Sequence, residues 1–191
     1  MNKAVKFVIA WILYIPSFII HIIPWLLYKI KILDFMTWSQ WISFIPGQIG
    51  IHLRRVWYKM ALRHCGKELT VDWMGVIKTP AASMGNHVYI GINSWVSWAS
   101  IGDDVMLSGH ILVLSGGNQH GIAPGKPMRL QEGKVQHIRI GKDVWIGAGA
   151  RILADIADHS IVGTGAVVTK TFEKGDILTG IPAKPIKNRF K

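Results

Sequence analysis

From Gly66 onward, aliphatic residues return at every sixth position: Met84 and Ile90; Ile101, Leu107 and Val113; Ile140, Ile146 and Ile152; Val162 and Val168. Neither the 3.6-residue period of a helix nor the two-residue alternation of an ordinary strand produces that spacing. A glycine often follows the beat (Gly85, Gly91, Gly102, Gly141, Gly147, Gly163), and a small or β-branched residue stands four places after it (Val88, Val105, Ala150, Ala166). A hexad of this kind makes one short strand and one corner, so three hexads bring the chain back above itself and stack the aliphatic side chains inside a prism. The pattern predicts a mainly β chain wound as a parallel β-helix, with glycine supplying corner conformations that cost other residues energy.

The first third of the chain has a different rhythm. Residues 7–27 read FVIAWILYIPSFIIHIIPWLL, long and apolar enough to enter a bilayer, with Lys3 and Lys6 before and Lys29 and Lys31 after. Pro16 and Pro24 each disturb a helix, and lysines at both ends leave the orientation undecided, so a bent, one-sided insertion competes with a span. Residues 35–64 mix aromatics with Lys and Arg around Pro46 and Gly47, which predicts a helix lying in the interface and then a basic amphipathic helix. The plainer alternative is that these helices cap a hydrophobic core. The segmentation is a helical membrane anchor over 1–65, a β-helix over 66–183 with an extruded loop at 118–137, and a tail over 184–191.

Charge sharpens this reading. The 191 residues carry a formal net charge of +11, which suggests a polyanionic neighbour. Among the first 64 residues, eight Lys or Arg stand against the single acid Asp34, interleaved with tryptophans and aliphatic runs. That is membrane-interface chemistry, with indole at headgroup depth and lysine meeting phosphate, and it points to lipid in place of nucleic acid. The lone Cys65 excludes an intramolecular disulfide, and the setting it suggests is reduced and cytoplasmic. The scarcity of acids leaves no obvious carboxylate pair, so a glycosidase is disfavoured, as is a thiol nucleophile at Cys65.

The six-residue rhythm breaks most widely between Val113 and Ile140. Instead of an aliphatic near position 119 the chain gives Asn118, Gln119, His120 and a polar run to His137. Long excursions from a compact domain tend to be functional, and one leaving a rigid coil can wall a cleft against a neighbouring subunit. The stretch GIAPGK is no phosphate loop, because His120 occupies the place of the first glycine and no helix pattern follows. An imidazole near neutral pKa can take the proton from a hydroxyl as it attacks a thioester, a role typically worth ~10²- to 10⁴-fold. Trp145, one place before a beat, points outward and needs a partner. Glu132 is a candidate to orient His120. His87 and His110 read as corner residues and His137, closing the loop, as a group that could orient a substrate. Trp95 and Trp98 read as packing residues.

The stretches VYIGINS, IGDDVMLSGH, SGGNQHG, IGKDVWIGAGARIL, VGTGAVVTK and GIPAKPIK resemble the hexapeptide-repeat acyltransferases over about residues 66–190. Among these the chain is most similar to O-acetyltransferases of bacterial surface-polysaccharide synthesis. The resemblance implies a left-handed parallel β-helix working as a homotrimer, with acetyl-CoA as co-substrate, no metal, and a glycan or lipid-linked sugar as acceptor. It implies His120 as general base, with Asn118 and Trp145 beside the substrate. It further implies backbone contacts from Ala148 and Thr164 to the pantetheine, Thr169 and Lys170 near the adenine, and Lys184 and Lys187 at phosphates. Lysine stands at the last two positions where the family often has arginine, which removes the bidentate fork. The expected address is the cytoplasmic face of the inner membrane. Three rivals are a zinc carbonic anhydrase on the same prism, a non-catalytic membrane-bound scaffold, and an N-acyltransferase. The first needs two histidines five positions apart, and His87, His110, His120, His137 and His159 provide no such pair.

Overall fold

The computed structural model describes residues 3–191, with side chains from residue 14 onward. Residues 7–13 of the apolar segment therefore lie outside the described side chains. Three helices come first, α1 (Lys3–Lys29), α2 (Phe35–Ser43) and α3 (Gly47–Ala61), followed by a parallel solenoid of about six coils.

Each coil lays one short strand on each of three faces. The first face carries β1 (His64–Cys65), β4 (Ser83–Met84), β7 (Ala99–Ile101) and β10 (Ile138–Ile140). The second carries β2 (Thr70–Val71), β5 (Tyr89–Ile90), β8 (Met106–Leu107), β11 (Trp145–Ile146), β13 (Ile161–Val162) and β15 (Asp176–Gly180). The third carries β3 (Val76–Ile77), β6 (Trp95–Val96), β9 (Leu112–Val113), β12 (Arg151–Ile152) and β14 (Val167–Val168). The chain ends in β16 (Ala183–Asn188), antiparallel to β15, so most of the 184–191 tail is a strand of the second face. All ten hexad aliphatics point inward and none is more than 4% exposed.

The structure corrects the reading of the glycines. Gly85, Gly91, Gly102 and Gly147 are not among the left-handed residues; each lies against the backbone of the next coil. A Cβ on Gly102 would come within 2.8 Å of the Gly141 carbonyl carbon, and one on Gly85 within 2.6 Å of Gly102. The left-handed conformation falls instead on Glu68, His87, Asp104, Asp143 and His159 at the first corner, and on Met74, Asn93, His110, Gly149 and Gly165 at the second. Asn, Asp and His tolerate this region better than most residues. Their backbone N–H groups reach back one coil: His87 to the Lys67 carbonyl at 2.8 Å, His110 to that of Ile92 at 2.8 Å. Two of the three corners are thus regular ladders.

The helices close the open end of this prism, as in the plainer of the two readings of residues 35–64. Asp34 caps α2, its carboxylate accepting from the N–H groups of Met36 (2.9 Å) and Thr37 (3.2 Å). Arg54, on α3, is fully buried. Its guanidinium donates to the carbonyls of Ile42 (2.9 Å) and Ile45 (2.8 Å) at the end of α2 and of Val71 (2.8 Å) in the first coil. A cation at a helix C-terminus satisfies orphan carbonyls and opposes the helix dipole, so one side chain ties two helices to the solenoid. Tyr58 accepts from the Ile77 N–H at 3.0 Å, and burial pushes its phenol up to about 12.

Pro16 and Pro24 do not interrupt α1, which runs through both. The helix is held by polar groups: Trp38 Nε1 donates to His21 Nδ1 (3.0 Å), so Nε2 carries the proton and donates to the Leu53 carbonyl (2.8 Å). Trp25 Nε1 reaches the Met60 carbonyl at 3.1 Å. Among the described residues, no helix is long and apolar enough to cross a membrane.

Two outcomes follow from this packing. Gly102→Ala forces a Cβ into the next coil and lowers unfolding free energy by about 1–3 kcal/mol in urea titrations. Burial lowers the His21 pKa below 6.5 in the folded chain, so the unfolded chain binds more protons as pH falls through that value and stability declines. The melting-temperature gap between wild type and His21→Leu therefore narrows on acidification below about pH 6.5.

Candidate active site

The third corner, between the third face and the first face of the next coil, has no ladder of left-handed residues. Here the connections vary in length, and the longest one leaves after β9 and returns at β10. Its neck is pinned by hydrogen bonds from Lys134 N to the Asn118 carbonyl (2.7 Å) and from Gln136 N to that of Ser115 (3.0 Å). Farther out, the Gln131 amide clamps the loop to the backbone of Ala123 (2.8 Å) and Lys126 (2.6 Å). Gly133 crosses so close to Gln119 and His120 that a Cβ would lie 2.1 Å from the Gln119 carbonyl carbon and 2.4 Å from the His120 nitrogen.

This crossing fixes the backbone of His120 at the root of the loop. Asn118 and the His120 ring are exposed, and the ring makes no hydrogen bond among the described residues. Glu132 lies across the neck, its carbonyl facing Gly121, but its carboxylate makes no bond to the imidazole. The carboxylate proposed to orient His120 is thus not engaged within the chain.

A second group of candidate residues lines the second corner. Ala148 and Thr164 occupy equivalent places on consecutive coils, linked by Gly165 N to the Ala148 carbonyl at 2.8 Å. Both are exposed, and their own N–H groups make no hydrogen bond among the described residues. At the first corner three of the equivalent amides are covered by side chains: Lys67 N by Asn86 Oδ1 (2.9 Å), Asn86 N by Asp103 Oδ1 (2.6 Å) and Lys142 N by Asp158 Oδ1 (3.0 Å). The second corner also changes along its length. Its left-handed residue is Met74, Asn93 and then His110 on the early coils, but Gly149 and Gly165 beside the open amides. A Cβ on Gly165 would meet nothing within 4 Å, so the missing side chain leaves room for something else. Two free donors a coil spacing apart, with clear space outside, fit the amide carbonyls of an extended pantetheine arm.

Trp145 stands three residues before Ala148 on the outer side of the second face, 49% exposed, its Nε1 donating to Ser108 Oγ at 3.3 Å. Lys184 pairs with Thr179 on β15, the residue stacked on Gly163, and so stands one register position from the column of Ala148 and Thr164. Lys187 lies farther along β16, opposite Ile177, and both lysines are exposed. Thr169 and Lys170 are elsewhere: they follow β14 at the third corner and line a cavity of about 520 Å³ with Trp98, Gln136, His137 and Asp155. The chain therefore presents its candidate residues as two half-sites. Trp145, Ala148, Thr164 and Lys184 share the second corner, while Asn118, His120, Thr169 and Lys170 belong to the third.

A further cluster gathers around His137, whose serine partners the sequence reading did not name. Ser83 Oγ donates to Ser100 Oγ (2.8 Å), and Ser100 Oγ in turn lies 2.8 Å from His137 Nε2. The Trp98 ring sits edge-on to His137 at 5.2 Å and is 38% exposed, lining both the cavity above and one of about 600 Å³ with Arg63, His64, Ser83 and Ser100. Trp98 is a cavity wall, not the packing residue expected, because the third corner leaves one side of its ring uncovered. The available signal was position: Ser83 and Ser100 each stand immediately before a beat, one coil apart in register.

His159 and Asp143, 2.8 Å apart at the first corner, with Arg189 3.2 Å from the carboxylate, hold the C-terminal strand down. The hydrogen bond with His159, with Arg189 alongside, keeps the Asp143 carboxyl below its usual range. Among the described residues no three His, Cys, Asp or Glu side chains converge to hold a metal ion.

No protein-family model matches the chain. A maltose O-acetyltransferase from Clostridium difficile 630 superposes with a TM-score of 0.72 at 21% identity, covering 81% of this chain and 84% of that one. A galactoside acetyltransferase in complex with coenzyme A gives 0.67 at 19%, covering 81% and 80%. The fold is that of the hexapeptide-repeat acetyltransferases. An N-acyltransferase from Bacillus cereus, bound to a dTDP-amino sugar and coenzyme A, superposes at 0.55 with 17% identity over 69% of this chain and 86% of that one. Among curated proteins, a putative acetyltransferase from Schizosaccharomyces pombe is 32% identical over 127 residues, 65% of this chain and 52% of its own. A chloramphenicol acetyltransferase from Agrobacterium fabrum is 49% identical over 53 residues, 27% of this chain and 25% of its own. The chain thus spans a quarter to about half the length of these curated relatives.

The open second corner makes its own forecast. Gly165→Asn places at this position a residue that already adopts the same conformation at Asn93, so the melting temperature stays near that of wild type. Coenzyme A binding, read by calorimetry, weakens by about tenfold, or 1.4 kcal/mol.

Proposed function

We propose that this protein is an acyltransferase that moves an acetyl group from acetyl-CoA to a sugar hydroxyl of a bacterial surface glycan or its lipid-linked precursor. The observation that carries the reading is the contrast between the two corners: exposed, unpaired amides on consecutive coils at one, and a histidine fixed at the neck of an extruded loop at the other. The coenzyme A-bound relatives of the same fold support the donor.

In this reading three copies associate so that the second corner of one protomer faces the third corner of the next. Ala148 and Thr164 donate N–H groups to the pantetheine, Lys184 and Lys187 meet phosphates, and Thr169 and Lys170 of the neighbour close over the adenine. Trp145 walls the reacting end, and Asn118 holds the acceptor. His120 takes the proton from the acceptor hydroxyl as its oxygen attacks the thioester carbonyl. The carbon–sulfur bond breaks, and the imidazolium returns the proton to the departing sulfur. No covalent enzyme intermediate forms.

The cavity between Trp98, Ser100, His137 and Arg63 is the acceptor pocket of this reading. An exposed aromatic face beside hydroxyl, imidazole and guanidinium donors suits a sugar ring carrying an anionic substituent. A second reading, transfer to a sugar amine, draws on the dTDP-amino-sugar-bound N-acyltransferase of the same fold.

His120→Ala lowers turnover by ~10²- to 10⁴-fold while coenzyme A binding and melting temperature stay near wild type; a variant that retains full turnover overturns the assignment. Gly133→Ala, which forces the loop neck apart, lowers turnover without unfolding the solenoid. Treating the labelled product with mild alkali separates the two acceptors: an O-acetyl ester is released, whereas an amide survives and establishes the second reading.

A further inference from the structure

Helix α1 is apolar on its outer side as well as where it meets the cap. Ser17, His21, Trp25 and Tyr28 face the cap, whereas Ile15, Ile19, Ile22, Ile23 and Leu26, with Ile30 just past the helix end, all face outward. These six recur at helical spacing and form one continuous stripe, on the side opposite the one that joins the core. The inward side is bonded to the cap through His21, which accepts from Trp38 and donates to the Leu53 carbonyl. The hydrophobic stripe therefore cannot turn inward without breaking buried hydrogen bonds, and exposed apolar faces of this extent mark an interaction site.

Charge selects the occupant. The stripe ends at Lys29, whose ammonium lies 5.3 Å from the Trp25 ring centre and 5.7 Å from that of Tyr28, and at the exposed Lys31. A basic–aromatic group at the end of an apolar stripe matches the headgroup layer of a bilayer. A second copy would bring eight basic residues and one acid in the first 64 against the same set, an electrostatic repulsion that anionic lipid converts into attraction.

We propose that α1 lies along one leaflet of an anionic bilayer, its isoleucine stripe in the acyl boundary and its Ser17–His21 side bound to the helical cap, so that the protein is anchored from one side. The leaflet is the cytoplasmic one, where acetyl-CoA is present. The anchoring itself is independent of acyl transfer.

The test is co-sedimentation of the full chain with vesicles of phosphatidylcholine, with and without 30% phosphatidylglycerol. Wild type pellets with the anionic vesicles and at least about tenfold less with pure phosphatidylcholine, and added salt weakens binding. Ile19→Glu/Ile23→Glu loses binding at least about tenfold while keeping wild-type circular dichroism and melting temperature, since both side chains point away from the cap. Protease added outside sealed vesicles reaches both ends of the bound chain. Wild type that stays in the supernatant overturns the proposal. So does a double variant that binds as wild type, or an assembly in lipid-free buffer that the double variant dissociates, which would give the stripe to a second copy.

Discussion

The constraint on which this molecule depends is the backbone hydrogen bond from each coil to the next. Parallel strands stack at a spacing of about 4.8 Å, and every coil must repeat that separation on three faces at once. At Gly102 and its equivalents the backbones approach so closely that a side chain has no space. At the first two corners, left-handed residues turn their N–H groups onto the preceding coil. The prism is rigid because its interior aliphatics and its rung-to-rung bonds impose the same geometry.

That rigidity gives meaning to the places where it lapses. The third corner has no ladder, so connections there can lengthen without disturbing the rungs, and the 118–137 loop emerges at that corner. The second corner keeps its ladder, yet on later coils its side chains disappear at Gly149 and Gly165 and its amides stay open. One corner is thus free to vary and another is free to bind. Because they flank opposite edges of the third face, His120 and Trp145 stand at different corners of one chain, which is why the proposed reaction brings two chains together.

The interior was legible in the sequence because each beat meets the same surroundings, an aliphatic above and an aliphatic below. The glycines were legible as markers but not in their cause: His87, Asn93 and His110 show that polar side chains take the corner conformation, while the neighbouring backbone is what excludes a Cβ beside the beats. The Ser83–Ser100–His137 chain was hidden because its members are 17 and 37 positions apart and meet only through stacking register. Likewise, Trp38, His21 and Leu53 come from three different helices, so composition indicated lipid chemistry without revealing which side of α1 is turned inward. The place of His120 was legible because the rhythm stops there; the crossing of Gly133 over its backbone was not, because that contact joins residues 13 positions apart.

The measurement that bears most directly on this account is a structure of the assembled protein with coenzyme A bound. The account predicts a trimer in which the pantetheine accepts hydrogen bonds from Ala148 and Thr164 of one protomer, with its sulfur within reach of His120 from the next. Coenzyme A on any other surface, or a sulfur remote from every His120 ring, would contradict it.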